Sequence, residues 1–127
     1  MKTYLTVSVA MLTGVAIGGF AVQGLQAQAQ GKKAYTVTEL QTLDAKLAAA
    51  VAPKIAAAQV SAGGRPFKTG GGKITAMEGT APDRVAITEW DSLEKAQAFF
   101  KSKAFTDTGP ERDKALKTIR RYVVEER

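Results

Sequence analysis

The alternation of apolar and polar residues after position 33 predicts a strand followed by a long helix. Residues 34–40 alternate β-forming side chains, which is typical of a strand with two different faces. Apolar residues then recur at helical spacing from Asp44, a suitable N-cap, to Ala62, with Gly63 as the stop. Pro53 removes a backbone hydrogen bond, so we expect a kink or the start of a second helix there. The side chains expected on the buried face of this helix are Leu47, Val51, Ile55, Ala58 and Ala62.

Three consecutive glycines separate the next two β-like runs, residues 64–69 and residues 73–79. Glycine adopts positive φ at little cost, so residues 70–72 predict a tight hairpin between the two runs. A phosphate-binding loop is much less favoured, because no Lys-Ser/Thr pair opening a helix follows. Pro66 makes the first run an irregular strand.

Residues 84–90 alternate again and predict a further strand that leads into a second helix. Either Asp91 or Ser92 caps this helix, and Glu94 stands three residues after Asp91, as a capping box requires. The helix is expected to end near Ser102. Its predicted buried stripe consists of Leu93, Ala96, Phe99 and Phe100.

A short helix over residues 108–117, with Pro110 in its first turn, and a final strand over residues 118–125 complete the prediction. This order of elements corresponds to the split β-α-β pattern, with one strand more if both hairpin strands form. The chain therefore reads as one α+β domain.

The first 29 residues have the pattern of a secretory signal peptide. Lys2 precedes an uncharged apolar run over residues 5–22, and Ala27 and Ala29 stand where a signal peptidase requires small side chains. We predict cleavage after Ala29, a periplasmic or secreted location, a polar leader over residues 30–33 and a domain over residues 34–127. The alternative is a membrane anchor over residues 4–25, because the run approaches the length that spans a bilayer. After cleavage we expect no membrane contact.

The chain contains neither cysteine nor histidine. Their absence excludes thiol nucleophiles, Ser-His-Asp triads, imidazole acid–base chemistry, and zinc, copper or haem sites built on imidazole or thiolate. The acidic residues show no calcium-binding spacing, so we expect no metal and no cofactor. The net charge of +6 comes from scattered lysines and arginines rather than a basic stripe, so we expect no nucleic-acid partner.

Several short segments of the chain form a recognisable set: Ala34-Tyr35, Gly63-Gly64-Arg65 ahead of Gly70-Gly71, the run VAITEWDSLEKA over residues 85–96, Ser102 three residues before Phe105, and Arg112. In this order and spacing they resemble the DUF1330 family. The resemblance covers residues 34–125. It implies a ferredoxin-like antiparallel sheet with helices on one face, of the dimeric α/β-barrel type, in which two subunits pair their sheets around a cavity. It implies a homodimer but no reaction, because the family is a domain of unknown function.

Pro66 and Thr69 depart from the family pattern, in which an aromatic residue and a second arginine often occupy these positions. Arg65 is therefore the single arginine beside this glycine turn. Phe105 stands where members often carry a tyrosine, so the ring is kept and the hydroxyl is lost. The resemblance and the strand patterns together make five residues candidate ligand contacts: Tyr35, Arg65, Glu89, Phe105 and Arg112.

Glu89 has the same parity as Val85 and Ile87, so its carboxylate is expected to face an apolar surface and to require a cation such as Arg65 or Arg112. A structural ion pair is favoured over a catalytic role for Glu89. Tyr35 either lines the same cavity or is a core tyrosine with its hydroxyl at the rim. Trp90, Phe99 and Phe100 are expected to be core residues.

Three functions are compatible with these patterns. The favoured one is a module that binds a small apolar or weakly anionic molecule in the cavity of a dimer, with Arg65 and Arg112 orienting its charge. The second is a cofactor-free isomerase or oxygenase with Glu89 or Tyr35 as the proton acceptor. A structural dimer without a ligand is the third.

Overall fold

The computed structural model describes residues 31–127, so the predicted signal segment and the alternative anchor lie outside the described residues. The strands and helices are β1 (Ala34–Thr42), α1 (Ala45–Ser61), β2 (Arg65–Pro66), β3 (Arg84–Trp90), α2 (Leu93–Lys101), α3 (Lys103–Thr106), α4 (Gly109–Ala115) and β4 (Leu116–Glu125). The strands form one antiparallel sheet in the order β2-β3-β1-β4. This connectivity and strand order are those of a ferredoxin-like α+β fold.

The predicted hairpin around the glycine run is wrong. Residues 73–79 form no strand, and β2, only two residues long, pairs with β3 instead. Pro66 has no N–H to donate to a longer ladder, and residues 73–79 join no strand of the sheet. The glycines do form a turn, in which Gly71 has a φ of +78° and the Gly72 N–H donates to the Thr69 carbonyl over 3.0 Å.

Both predicted ends of α1 are confirmed. The Asp44 carboxylate accepts a hydrogen bond from the Leu47 N–H over 3.0 Å, and Gly63, with a φ of +93°, follows the last turn. Pro53 lies inside one continuous helix, so no second helix begins there. Of the predicted buried face, Val51 is buried, and Ile55 and Ala58 pack half-buried against the core, whereas Leu47 is 42% exposed and its neighbour Ala48 is buried instead. Ala62 is exposed.

Ser92, rather than Asp91, caps α2, because its hydroxyl accepts from the Lys95 N–H over 3.2 Å. The expected capping box with Glu94 is therefore wrong, and Asp91 is paired elsewhere. Pro110 lies in the first turn of α4, as predicted.

The helices pack on one face of the sheet, and the core lies between them. Alternate residues of β1, and Thr88 and Trp90 of β3, are buried in it, in agreement with the predicted alternation of these two strands, whereas most of β4 is exposed. One buried cluster contains Leu40, Ala48, Val51, Ala115 and Leu116, and a second contains Trp90, Ala96, Phe99 and Phe105. Phe100 packs against the second cluster while half-buried.

Threonines on the core side of β1 and β3 bring polar groups inside, and each has a partner. The Trp90 indole donates to the Thr36 hydroxyl over 3.1 Å. The Thr88 hydroxyl donates to the Gln59 side-chain oxygen over the same distance. Throughout residues 31–127, no buried side-chain polar atom lacks a hydrogen bond.

The helices of residues 31–127 include none with the length and hydrophobicity of a membrane span.

Candidate functional site

A cavity of about 380 Å³ lies between α1 and the core side of the sheet. Ala52 and Ala56 line it from α1, and Ala86 lines it from β3. Because these side chains are single methyl groups, the helix and the sheet leave space between them that larger residues would fill. Both the volume and the mainly apolar lining are typical of sites for small molecules.

Arginine supplies all of the formal charge around this cavity. Arg84, Arg112 and Arg121 line it, and no aspartate or glutamate does. The cavity is therefore positively charged as well as apolar.

Arg112 is held in place by the loop that connects α3 to α4. Its Nη1 donates to the Thr108 hydroxyl over 3.0 Å and to the Phe105 carbonyl over 3.3 Å. Its guanidinium carbon lies 4.0 Å from the centre of the Phe105 ring, a cation–π contact. These contacts position the guanidinium at the aromatic side of the cavity.

Arg121 reaches the same aromatic side from β4. A bulge opposite Glu39 and Leu40 sets the register so that Arg121 pairs with Thr38 on the core side of the sheet. Its Nε donates to the Thr38 hydroxyl over 3.1 Å, and its guanidinium carbon lies 4.6 Å from the Phe100 ring centre and 5.0 Å from that of Phe105. Burial of the charge, followed by repulsion from Arg112, lowers the pKa of Arg121.

The opposite face of the sheet carries a separate group of charges, here called the outer-face cluster: Lys33, Tyr35, Arg65, Glu89 and Asp91. The Glu89 carboxylate accepts from Arg65 Nε over 2.6 Å and lies 2.9 Å from Lys33 Nζ. Arg65 also donates from Nη2 to Asp91 over 2.8 Å. The predicted pairing of Glu89 with Arg65 is thus present, while Arg112 lies on the other side of the sheet.

These contacts hold Glu89 ionised and Tyr35 protonated. Hydrogen bonds from Arg65, and then from Lys33, lower the pKa of Glu89 to about 2. Tyr35 donates its hydroxyl proton to Glu126 over 2.7 Å, and this bond is the largest of the effects that raise the pKa of Tyr35 to about 12. Neither group is thereby suited to accept a proton at neutral pH.

The five sequence-predicted residues therefore fall into two groups. Phe105 and Arg112 line the cavity, whereas Tyr35, Arg65 and Glu89 lie on the outer face. Sequence reasoning missed Arg121, although its parity with Val123 on the final strand could have indicated that it faces the helices. Among the residues described, no three acidic side chains come together as a metal site would require.

The outer-face cluster predicts a loss of stability in acid. The pKa of Glu89 is lowered from 4.5 to about 2, so its contribution is complete above 4.5 and disappears as the pH falls towards 2. Asp91 and Glu39, whose pKa values are also lowered by arginines, act in the same direction. Urea denaturation between pH 2 and pH 7 should show the free energy of unfolding falling with pH. The fall should be shallower in Glu89→Gln. An identical slope in wild type and variant would contradict the ion pairing.

Arg65 and Glu89 are also predicted to be energetically coupled. Arg65→Met and Glu89→Gln should each destabilise the fold, and the double variant should lose less than the sum, because each single change strands a charge that the second removes. Lys54 and Glu111, an ion pair that is more than half exposed on both sides, provide the control. Their double-mutant cycle should show a smaller coupling. Additive effects at Arg65 and Glu89 would show that the two side chains do not meet in solution.

Solved structures of other proteins resemble this fold. A protein of unknown function from Rhodopseudomonas palustris superposes with a TM-score of 0.55 at 13% identity, over 81% of this chain and 90% of that one. The methylated form of that protein gives a TM-score of 0.50 at 13% identity, over 75% of this chain and 78% of that one. A dimeric protein of unknown function with a ferredoxin-like fold from Bacteroides fragilis gives a TM-score of 0.44 at 11% identity, over 76% of this chain and 95% of that one.

At these identities the likeness to the Rhodopseudomonas palustris protein shows the fold alone. No curated protein matches the chain. One protein-family model matches residues 33–126, and its description is "Domain of unknown function (DUF1330)". The match covers nearly all of the described residues and agrees with the motifs that first indicated the resemblance. The chain therefore belongs to the DUF1330 family.

Proposed function

We propose that this chain is an exported, homodimeric module that binds a small molecule in the cavity beneath α1. The observation that carries the proposal is the cavity itself, which combines a volume of about 380 Å³, alanine-lined walls and arginines beside aromatic rings. Such a combination offers an apolar ligand both space and orientation.

Proton-transfer chemistry is the weaker alternative. An isomerase or oxygenase would need a base whose pKa lies near the working pH, and Glu89, with a pKa of about 2, is far below it. Tyr35, with a pKa raised to about 12, stays protonated. Both residues lie on the outer face, away from the cavity beneath α1, so catalysis would need a second site between the paired sheets, whereas binding needs only the cavity beneath α1.

The homodimer is proposed to form through the outer face of the sheet. Tyr122 and Val124 on this face are 48% and 53% exposed. An apolar surface of this kind is stabilised when a second copy covers it. The family resemblance to dimeric α/β-barrels implies the same arrangement.

Val124→Lys tests the dimer in sedimentation equilibrium. The new charge would be buried against the partner, so we expect a shift from dimer to monomer at micromolar concentration. Val60→Lys is the control, because Val60 is 60% exposed near the end of α1, on the helical side of the sheet. A wild-type protein that sediments as a well-folded monomer would contradict the dimer.

Export is proposed from the sequence pattern of residues 1–29. N-terminal sequencing of the protein recovered from its host should begin at Gln30. A membrane-bound species that retains residues 1–29 would support the anchor alternative instead.

Native mass spectrometry of the protein from its own host tests the binding function. We expect the dimer to be heavier than two polypeptide chains, and this added mass should disappear on denaturation. Ala52→Phe, which fills the cavity, should abolish the added mass, and Ala57→Phe, the same change at an exposed position of α1, should preserve it. A wild-type protein that carries no added mass and binds no apolar probe would favour the structural dimer.

A further inference from the structure

We infer that the ligand is an organic monocarboxylate, with its apolar body beneath α1 and its carboxylate beside Arg112 and Arg121. This inference rests on the proposed binding function and specifies its chemical class. It depends on the charges that line the cavity, on the free guanidinium donors and on the apolar walls.

The charge balance of the cavity favours an anion. Its three arginines face no acidic side chain in the lining, and Arg121 makes no salt bridge with any residue in the range 31–127. Arg112 approaches only Asp113, at 3.8 Å, and that carboxylate is 78% exposed. Because Arg112 and Arg121 both lie beside the Phe105 ring and repel one another, a negative charge placed near both offsets the repulsion.

Hydrogen-bond donors are available to receive that charge. Arg121 uses only Nε within the described part of the chain, so its two Nη nitrogens keep their N–H groups for a ligand. Arg112 uses Nη1 for the Phe105 carbonyl and the Thr108 hydroxyl, and its Nη2 donates to no described residue. A planar guanidinium with free N–H groups matches the two oxygens of a carboxylate.

The rest of the lining favours an apolar body over a polar one. Leu40, Ala52, Ile55 and Ala56 present only hydrocarbon to the space, and the Thr88 hydroxyl beside them already donates to Gln59. A sugar or a nucleotide would leave hydroxyl groups unpaired against these side chains, and an unpaired buried hydroxyl opposes binding. A short alkyl or aryl chain meets no such penalty.

Isothermal titration of the purified protein with octanoate and with 1-octanol at pH 7 tests the inference. The two probes share a chain and differ in the head group. We expect octanoate to bind about tenfold more tightly, the difference that a charge-assisted hydrogen bond confers. Arg121→Met should lower this preference, because it removes one of the two guanidinium groups that face the carboxylate, and an unchanged preference would overturn the inference.

Lys114→Met is the matched control, since it removes one positive charge from an exposed position on α4 outside the cavity. It should keep the preference for octanoate. Equal binding of octanoate and 1-octanol to the wild-type protein, or loss of the preference in Lys114→Met, would overturn the inference and leave the binding function standing. Failure of both probes to bind would contradict the proposed function as well.

Discussion

Phe99→Ala is expected to destabilise the domain by about 3–5 kcal/mol, the usual cost of truncating a buried aromatic side chain. Phe99 is 2% exposed, and its ring centre lies 5.2 Å from that of Trp90, 5.1 Å from that of Phe100 and 5.4 Å from that of Phe105. The large neighbouring rings cannot collapse into the space without leaving their own contacts. The truncation should therefore leave a cavity.

Urea denaturation of the purified variants measures this effect. Met77→Ala is the control, because Met77 is a large apolar residue that is 91% exposed. Its truncation should change the free energy of unfolding by about 0.5 kcal/mol or less. A loss below about 1 kcal/mol for Phe99→Ala would contradict the packed ring cluster, because core truncations of this size cost several times more.

Gly64→Ala is expected to cost about 1–3 kcal/mol, although only one methyl group is added. A Cβ at Gly64 would lie 2.9 Å from Cη2 of Trp90 and 3.0 Å from both the Gln59 carbonyl oxygen and Cγ2 of Thr88. Trp90 and Thr88 are fully buried, and the Gln59 oxygen belongs to the backbone, so none of the three yields easily. The effect is a steric one at the junction of α1 and the sheet.

Gly70→Ala makes the same chemical change where a Cβ would meet nothing within 4 Å. Its thermal midpoint should stay within a few degrees of wild type, whereas that of Gly64→Ala should fall. Equal midpoints for Gly64→Ala and wild type would show that α1 and β3 approach less closely than described.

The alternation of side chains predicted much of this fold, because burial of one face of each strand imposes a period of two. The cap at Asp44 and the stop at Gly63 could be predicted from the sequence because both depend only on local geometry. The false hairpin over residues 64–79 shows the limit of such signals. Strand pairing is a long-range choice, and β2 pairs with β3 rather than with the segment that follows the glycine turn.

The candidate site was predictable only in part. The parity of Glu89 indicated a carboxylate that needs a cation, and Arg65 supplies it across the β2–β3 pair. Whether Arg112 could meet Glu89 depended on the face to which α4 packs, which no local pattern specifies. The parity of Arg121 with Val123 indicates the side of the sheet that Arg121 faces, but the cavity that it lines depends on how α1 packs on that side, which no local pattern specifies.

Methyl nuclear magnetic resonance during titration with octanoate tests the central claim, a ligand in the cavity beneath α1, most directly. The methyl groups of Ala52, Ala56 and Ala86 line this cavity, so the account predicts that their signals shift saturably. The signals of Val124, which lies on the outer face, should not shift. Shifts confined to the outer face, or no saturable shift at all, would contradict it.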